Sequence, residues 1–205
     1  LRFFSPERVS VKADARLRRE LKISPEDSVV LMASRLLFDK GVREYCEVAK
    51  LIRQKHPGTI FLLVGAPDPE SYQSVPLDFF SPYTGTVCRL GFRSDIRELL
   101  ALTDIFVLPS YYGEGLPQVL LEALAMGKPL VTTDQVGCRE TVQPGVNGFL
   151  VAIRNILNLA EKIEELLVNP EKRHAFGLAS RKLASEKFDE RNSIETIQRE
   201  LDLAI

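Results

Sequence analysis

Short apolar runs alternate with segments of helical periodicity along most of this chain, and that alternation limits its fold more than any other feature. The clearest runs occupy residues 29–33, 60–64, 105–108 and 130–131, with weaker ones at 86–90 and 148–151. Runs that are apolar on both faces are typical of strands in a parallel sheet covered on both sides. The pattern therefore predicts a Rossmann-like, doubly wound α/β fold with a parallel sheet of about six strands.

Amphipathic segments between these runs predict the helices. Apolar residues recur at helical spacing within residues 42–52, 96–100 and 119–126, and residues 10–22 also read as a helix. After residue 151 only helical patterns remain, at 159–167, 175–183 and 194–201, which predicts extra helices at the C-terminal end. We expect residues 66–85, which are rich in proline, aspartate and serine, to form a long loop or a broken helix.

Composition excludes several classes of protein. Lysine and arginine together number 27 and aspartate and glutamate 28, so the chain lacks the basic excess of most nucleic-acid-binding proteins. No apolar run approaches the length of a membrane span. The three cysteines are odd in number and far apart, which argues against a disulfide framework or a zinc site and favours buried thiols in a reducing compartment. His56 and His174 lack partners at metal-ligand spacing and are interpreted as structural.

The loop after the first predicted strand carries two cations just before a helix. It reads Ser34-Arg35-Leu36-Leu37-Phe38-Asp39-Lys40-Gly41. Ligands of open α/β sheets bind outside the carboxyl ends of the strands, where Arg35 and Lys40 would hold a phosphate or diphosphate beside a helix N-terminus. Taken alone, both side chains are more simply explained as solvated loop charges. The loop has neither the P-loop pattern nor the glycine pattern of dinucleotide-binding folds.

Glycines follow the second and third predicted strands. Gly65 leaves the backbone bare for a close approach. Backbone groups from Arg89 to Gly91 are placed to bracket a nucleotide base, although a plain turn explains them equally well. We therefore include Gly65, Arg89 and Gly91 among the candidate nucleotide-binding residues.

Residues 113–122, after the fourth predicted strand, are the most informative stretch. The amides of Gly115 and Leu116 precede a helix and should face its ligand, which favours an anion. Glu114 is itself negative and should reach hydroxyl-bearing parts of the ligand instead. Glu122 lies in the helix among apolar neighbours and needs partners, which ribose hydroxyls would supply. Two glutamates eight residues apart suggest glycosidase-like acid/base chemistry, but their positions at the strand end argue against it.

Taken together, these residues resemble the C-terminal half of retaining, GT-B-fold glycosyltransferases of family 4. Within that family the chain is most similar to the sugar transferases of capsule and lipid-linked oligosaccharide synthesis, and the similarity covers roughly residues 28–190. It runs through the motifs Ser34-Arg35-x4-Lys40-Gly41, Pro109-Ser110, Glu114-Gly115-Leu116-Pro117, Leu121-Glu122-Ala123, Gly127-Lys128-Pro129, Gly137-Cys138-Arg139-Glu140 and Asn147-Gly148-Phe149-Leu150-Val151.

The resemblance implies a role for each candidate residue. Arg35 and Lys40 would hold the diphosphate and stabilise it as the leaving group, with help from the two amides that follow Glu114. Glu114 would bind hydroxyls of the donor sugar, and Glu122 the ribose diol. The catalytic set would thus be Arg35, Lys40 and Glu114. No metal and no cofactor is expected, because the two cations neutralise the diphosphate and the nucleotide-sugar is a substrate.

The resemblance also implies one half of a two-domain enzyme. Residues 1–205 would form a single nucleotide-sugar-binding domain, with residues 1–9 a remnant of the interdomain linker. The last helix, residues 189–205, would pack either on this domain or on the missing N-terminal acceptor domain. We expect the complete polypeptide to be cytoplasmic and to meet the inner face of the membrane only through its acceptor half. The chain alone should bind nucleotide without transferring sugar.

The function predicted on this basis is transfer of a sugar, with retention, from a nucleotide-diphospho-sugar to a glycan or lipid-linked acceptor in polysaccharide synthesis. A uridine donor is the expectation. Two alternatives stay open. A nucleotide-sugar epimerase of the same fold would also hold a diphosphate, whereas a non-enzymatic α/β adaptor would not need the four charged candidates Arg35, Lys40, Glu114 and Glu122 at strand ends.

Overall fold

One parallel sheet forms the centre of the molecule. The computed structural model describes residues 3–113 and 115–188, and its six strands lie in the order β3-β2-β1-β4-β5-β6, every neighbouring pair parallel. The strands are β1 (Ser28–Ala33), β2 (Thr59–Val64), β3 (Val87–Gly91), β4 (Ile105–Leu108), β5 (Leu130–Thr133) and β6 (Gly148–Val151). The predicted six-stranded, doubly wound sheet is confirmed.

Burial of both faces explains why the central strands read as apolar runs. Every residue of β4 and β5 is buried. The strand β5 extends past its apolar start because Thr132 and Thr133 are buried with their hydroxyls donating to the carbonyls of Leu108 and Ser110. A buried hydroxyl with a partner has little free-energy penalty, so these two polar residues continue the strand.

Within the described residues six α-helices cover the sheet, and the helical predictions there are confirmed. They are α1 (Val11–Glu20), α2 (Val42–Lys55), α3 (Ile96–Leu102), α4 (Gln118–Ala125), α5 (Ile156–Leu167) and α6 (Pro170–Lys187). Helix α1 packs against α3, α2 against α5, and α4 against α6. His56, predicted to be structural, lies just after α2, with its Nε2 3.0 Å from Oε1 of Glu164 in α5. The predicted helix at 194–201 and the segment 189–205 lie outside the described residues.

The connection between β2 and β3, residues 65–86, contains no α-helix. It contains a short 3-10 helix, Leu77–Tyr83, so the expected loop or broken helix is a combination of both. The expectation of buried cysteines is right for Cys46 and Cys138 and wrong for Cys88. Cys88 is exposed because β3 is an edge strand. Among residues 3–113 and 115–188, no helix is long and apolar enough to cross a membrane.

Candidate active site

The two central strands β1 and β4 define where a ligand can bind. They are neighbours in the sheet, and the strand order runs outward from them in opposite directions. Such a switch point leaves a crevice at the carboxyl ends of the strands, which is the usual ligand site of doubly wound folds. A cavity of about 200 Å³ opens there, between Arg35 and Lys40 on one side and the start of α4, Pro117 to Val119, on the other.

Tight backbone contacts fix the loop that carries the two cations. Gly41 has φ +82°, and a Cβ at this position would lie 2.3 Å from the carbonyl oxygen of Pro109, so only glycine fits. The carbonyl oxygen of Asp39 accepts hydrogen bonds from the backbone amides of Tyr111 (2.9 Å) and Tyr112 (3.2 Å). The loop after β1 is therefore joined directly to the loop after β4, which leads into α4.

The two cations have different surroundings. Lys40 is only 6% exposed, and its ammonium lies 4.8 Å from the centre of the Tyr112 ring. The side chain of Arg35 is 62% exposed, and its Nη1 donates to Oδ2 of Asp68 at 2.7 Å. Both side chains line the crevice. A guanidinium and an ammonium at one crevice form a local cationic site in a chain of near-zero net charge.

The start of α4 faces the same crevice. The helix begins at Gln118, directly after Pro117, so its first amides have no intrahelical acceptors and favour an anion. Gly115 and Leu116 are exposed just before it. A Cβ on Gly115 would meet nothing within 4 Å, so packing against the described residues does not require glycine there. Glu114, predicted to bind the donor sugar, lies outside the described residues.

Glu122 lies one turn beyond Gln118 in α4 and is half-buried. Burial raises the pKa of its carboxyl, and a side-chain hydrogen bond with Gln118 partly offsets that effect. Gln118 is thus one hydrogen-bond partner of this half-buried carboxyl. A hydroxyl-bearing ligand in the crevice would supply further donors. The role of Glu122 in binding ribose stays a prediction.

The remaining candidates lie along the next two strand ends. The amide of Gly65 donates to the carbonyl of Gly91 at 2.8 Å, which places these two glycines side by side. Arg89 is farther out: its guanidinium lies 4.6 Å from the centre of the Phe80 ring, in a separate cavity of about 300 Å³. The structure thus gathers Arg35, Lys40 and the start of α4 at one crevice, while Arg89 faces another. Their roles stay predictions.

Three charged residues near the site were not singled out by the sequence. Asp68 pairs with Arg35, Glu44 is buried in the first turn of α2, and the Arg154 guanidinium lies 4.5 Å from the centre of the Tyr111 ring. Oε2 of Glu44 has no hydrogen-bond partner among the described residues, and burial raises the pKa of this carboxyl. Arg154 follows β6, so extending the search of strand ends to the sixth strand would have found it.

Comparison with known proteins identifies the family. The family model for glycosyl transferases group 1 matches residues 14–183. The chain belongs to this family. Within it, the chain is 44% identical over 139 residues to the N,N'-diacetylbacillosaminyl-diphospho-undecaprenol alpha-1,3-N-acetylgalactosaminyltransferase of Campylobacter jejuni, a match that covers 68% of this chain and 35% of that protein.

Two further similar proteins extend the comparison. The capsular polysaccharide biosynthesis glycosyltransferase CapM of Staphylococcus aureus is 29% identical over 167 residues, covering 82% of this chain and 44% of CapM. The crystal structure of Anabaena HepE in complex with UDP superposes with a TM-score of 0.84 at 28% identity, covering 95% of this chain and 53% of HepE. The present chain thus spans between about a third and about half of the length of these three proteins.

Proposed function

We propose that this group 1 domain is the donor-binding half of a retaining glycosyltransferase. The complete polypeptide would transfer a sugar from a UDP-sugar to a glycan or lipid-linked acceptor. The observation that carries the proposal is the crevice between β1 and β4, where Arg35, Lys40 and the start of α4 converge. Support comes from the UDP-bound HepE structure and from the lipid-linked and capsular reactions in the names of the relatives.

The chemistry of the crevice suits a departing diphosphate. In the transfer, the bond from the anomeric carbon to the phosphate oxygen breaks with its electron pair moving onto the diphosphate. The acceptor hydroxyl oxygen bonds to that carbon, and its proton passes to the departing diphosphate. Arg35, Lys40 and the amides of the helix end stabilise the negative charge that develops. Glu114 contacts sugar hydroxyls, and the backbone of Gly65 and of residues 89–91 borders the nucleoside, while the Arg89 side chain faces the other cavity. In this proposal no metal or other cofactor takes part.

The rest of the polypeptide completes the site. In this proposal residues 1–9 lead from an acceptor domain, and residues 189–205 pack on one of the two halves. Without that domain the chain binds nucleotide and transfers no sugar, since positioning of two reactants contributes about 7–11 kcal/mol to such reactions. We place the complete enzyme in the cytoplasm, at the inner face of the membrane where lipid-linked acceptors would be met.

The role of Glu122 gives a test of this assignment. We expect the chain to bind UDP about tenfold more tightly than 2′-deoxy-UDP, because a hydrogen bond to a charged group contributes about 1.5–3 kcal/mol. In Glu122→Ala the ratio of the two affinities should fall to about one. Isothermal titration calorimetry measures both affinities, with Glu26→Ala, an exposed glutamate before β1, as the control. A preference that survives in Glu122→Ala would exclude Glu122 as the ribose partner.

A further inference from the structure

Arg154 has a backbone conformation that its residue type disfavours. Its φ is +58°, and among the non-glycine residues that the structure describes only Lys22 also has a positive φ. Lys22 follows the last turn of α1, where a left-handed residue commonly ends a helix. Arg154 is instead the third residue of the turn 152–155, which a 3.2 Å hydrogen bond from the Asn155 amide to the Ala152 carbonyl closes. A positive φ at this place in a turn favours glycine, so the arginine introduces backbone strain.

The turn places the Arg154 side chain beside the loop that follows β4. Its guanidinium carbon lies 4.5 Å from the centre of the Tyr111 ring, and arginine stacks on aromatic faces through cation–π attraction. The same positive charge acts on Glu44 in the first turn of α2. Burial raises the pKa of that carboxyl, whereas a backbone hydrogen bond and the charges of Arg154 and Arg43 lower it. The guanidinium therefore lies near both the loop after β4 and the start of α2.

Tyr111 joins this stack to the crevice. The Tyr111 and Tyr112 amides both donate to the Asp39 carbonyl, at 2.9 and 3.2 Å. The Tyr111 carbonyl accepts from Nε2 of Gln135 at 3.1 Å, and the Tyr112 ring lies 4.8 Å from the ammonium of Lys40. The loops that follow β1, β4, β5 and β6 thus meet at Tyr111, next to the residue that contacts the buried cation.

We propose that Arg154 is a positioning residue for donor binding. It holds the Tyr111 ring, and Tyr111 holds the loop after β4 where Tyr112 contacts Lys40. The inference rests on the proposed function, in which Lys40 binds the diphosphate. A loop that is held less firmly occupies the binding-competent arrangement for a smaller fraction of the time, and the apparent affinity falls by that fraction. Arg154 does not line the crevice, so it acts through Tyr111 and not on the ligand.

Calorimetry of the 205-residue chain with UDP tests this role. Arg154→Gly removes the stack, and we expect the Kd for UDP to rise about fivefold, the effect of one exposed cation–π contact. Tyr111→Leu should raise the Kd equally, whereas Tyr111→Phe keeps the ring and should stay within about twofold. Because the two side chains act as one unit, the double variant Arg154→Gly/Tyr111→Leu should match Tyr111→Leu alone.

The matched control makes the same change at the other positive φ. Lys22→Gly relieves backbone strain in an exposed residue outside the crevice lining, so the Kd for UDP should not change. Its midpoint of thermal unfolding should rise by about 2–4 °C. Arg154→Gly loses the stack while it relieves strain, so its midpoint should stay within about 4 °C of the wild type. A weaker affinity at a nearly unchanged midpoint is a result that a purely structural role does not produce.

Three results would overturn the positioning role. An unchanged Kd in Arg154→Gly would show that the stack does not influence the crevice. Losses that add in the double variant would show that Arg154 does not act through Tyr111. A weaker affinity together with a fall of the midpoint by more than about 10 °C would give Arg154 a role in folding alone. Wild-type protein that fails to bind UDP would instead contradict the proposed function itself, so the two failures are distinguishable.

Discussion

Replacing Lys40 with methionine is expected to lower kcat/KM for sugar transfer by the complete polypeptide by a factor of about 10²–10³. Lys40 is buried and lines the crevice at the strand ends. Water screens a charge in such a site less than a charge on the surface. Loss of a comparable preorganised group raises the free energy of the transition state by about 2.7–4 kcal/mol. Methionine keeps the length and apolar stem of lysine, so the packing beside Tyr112 should persist.

Steady-state kinetics with a matched control separates this effect from a general loss of charge. Lys50→Met removes an exposed lysine of α2 and should leave kcat/KM within about twofold, as most surface substitutions do. The UDP affinity of Lys40→Met, measured by calorimetry, should fall as well, because in the proposed function the ammonium also holds the diphosphate before the reaction. If kcat/KM is unchanged in Lys40→Met, the ammonium does not stabilise the leaving group.

Replacing Gly65 with alanine is expected to destabilise the domain by about 3–5 kcal/mol, at the upper end of single-substitution effects. Gly65 has φ +141°, a conformation that side chains rarely adopt, and a Cβ there would lie 1.8 Å from the carbonyl oxygen of Ser34. Backbone strain of this kind alone costs about 1–3 kcal/mol. The clash adds to it, because both the β1 and β2 backbones are held in the sheet by parallel pairing.

Urea denaturation measures this difference, and a second glycine provides the comparison. Gly85 also has a positive φ, +76°, but a Cβ there would meet nothing within 4 Å. Gly85→Ala should therefore show only the conformational cost, about 1–2 kcal/mol. A similar loss of free energy of unfolding in both variants would mean that the strand ends can separate. That result would contradict the tight contact between Gly65 and Ser34.

The fold was predictable because its central strands are buried on both faces. The runs at 29–33, 60–64 and 105–108 are apolar without interruption, and only a parallel sheet between helices buries such runs at this spacing. The predicted strand at 130–131 omitted Thr132 and Thr133, which also belong to β5. Their hydroxyls donate to carbonyls of other segments, and the sequence does not show these tertiary contacts. Strand β3 lies at an edge, so the interpretation of Cys88 as buried failed there.

The sequence predicted those parts of the candidate site whose residues lie close together in the chain. Arg35 and Lys40 precede a helix within one loop, and the loop's position after a strand indicated a ligand. The pairing of Arg35 with Asp68 depends on residues 66–75 crossing that loop, and no periodicity in the sequence encodes such a crossing. The unpartnered oxygens of Asp39 and Glu44 depend likewise on tertiary packing. The sequence therefore revealed the charge of the site residues and their positions after strands. It did not reveal their hydrogen-bond and ion-pair partners.

Isothermal titration calorimetry of the 205-residue chain with UDP tests the central claim most directly. We expect binding at one site with a Kd below about 1 mM, the weak end of specific affinity. The affinity should be the same in EDTA as in Mg²⁺, and it should be reduced in Lys40→Met but not in Lys50→Met. Absence of binding heat at millimolar UDP, with the chain folded, would contradict the assignment of the crevice between β1 and β4 as a nucleotide-sugar site.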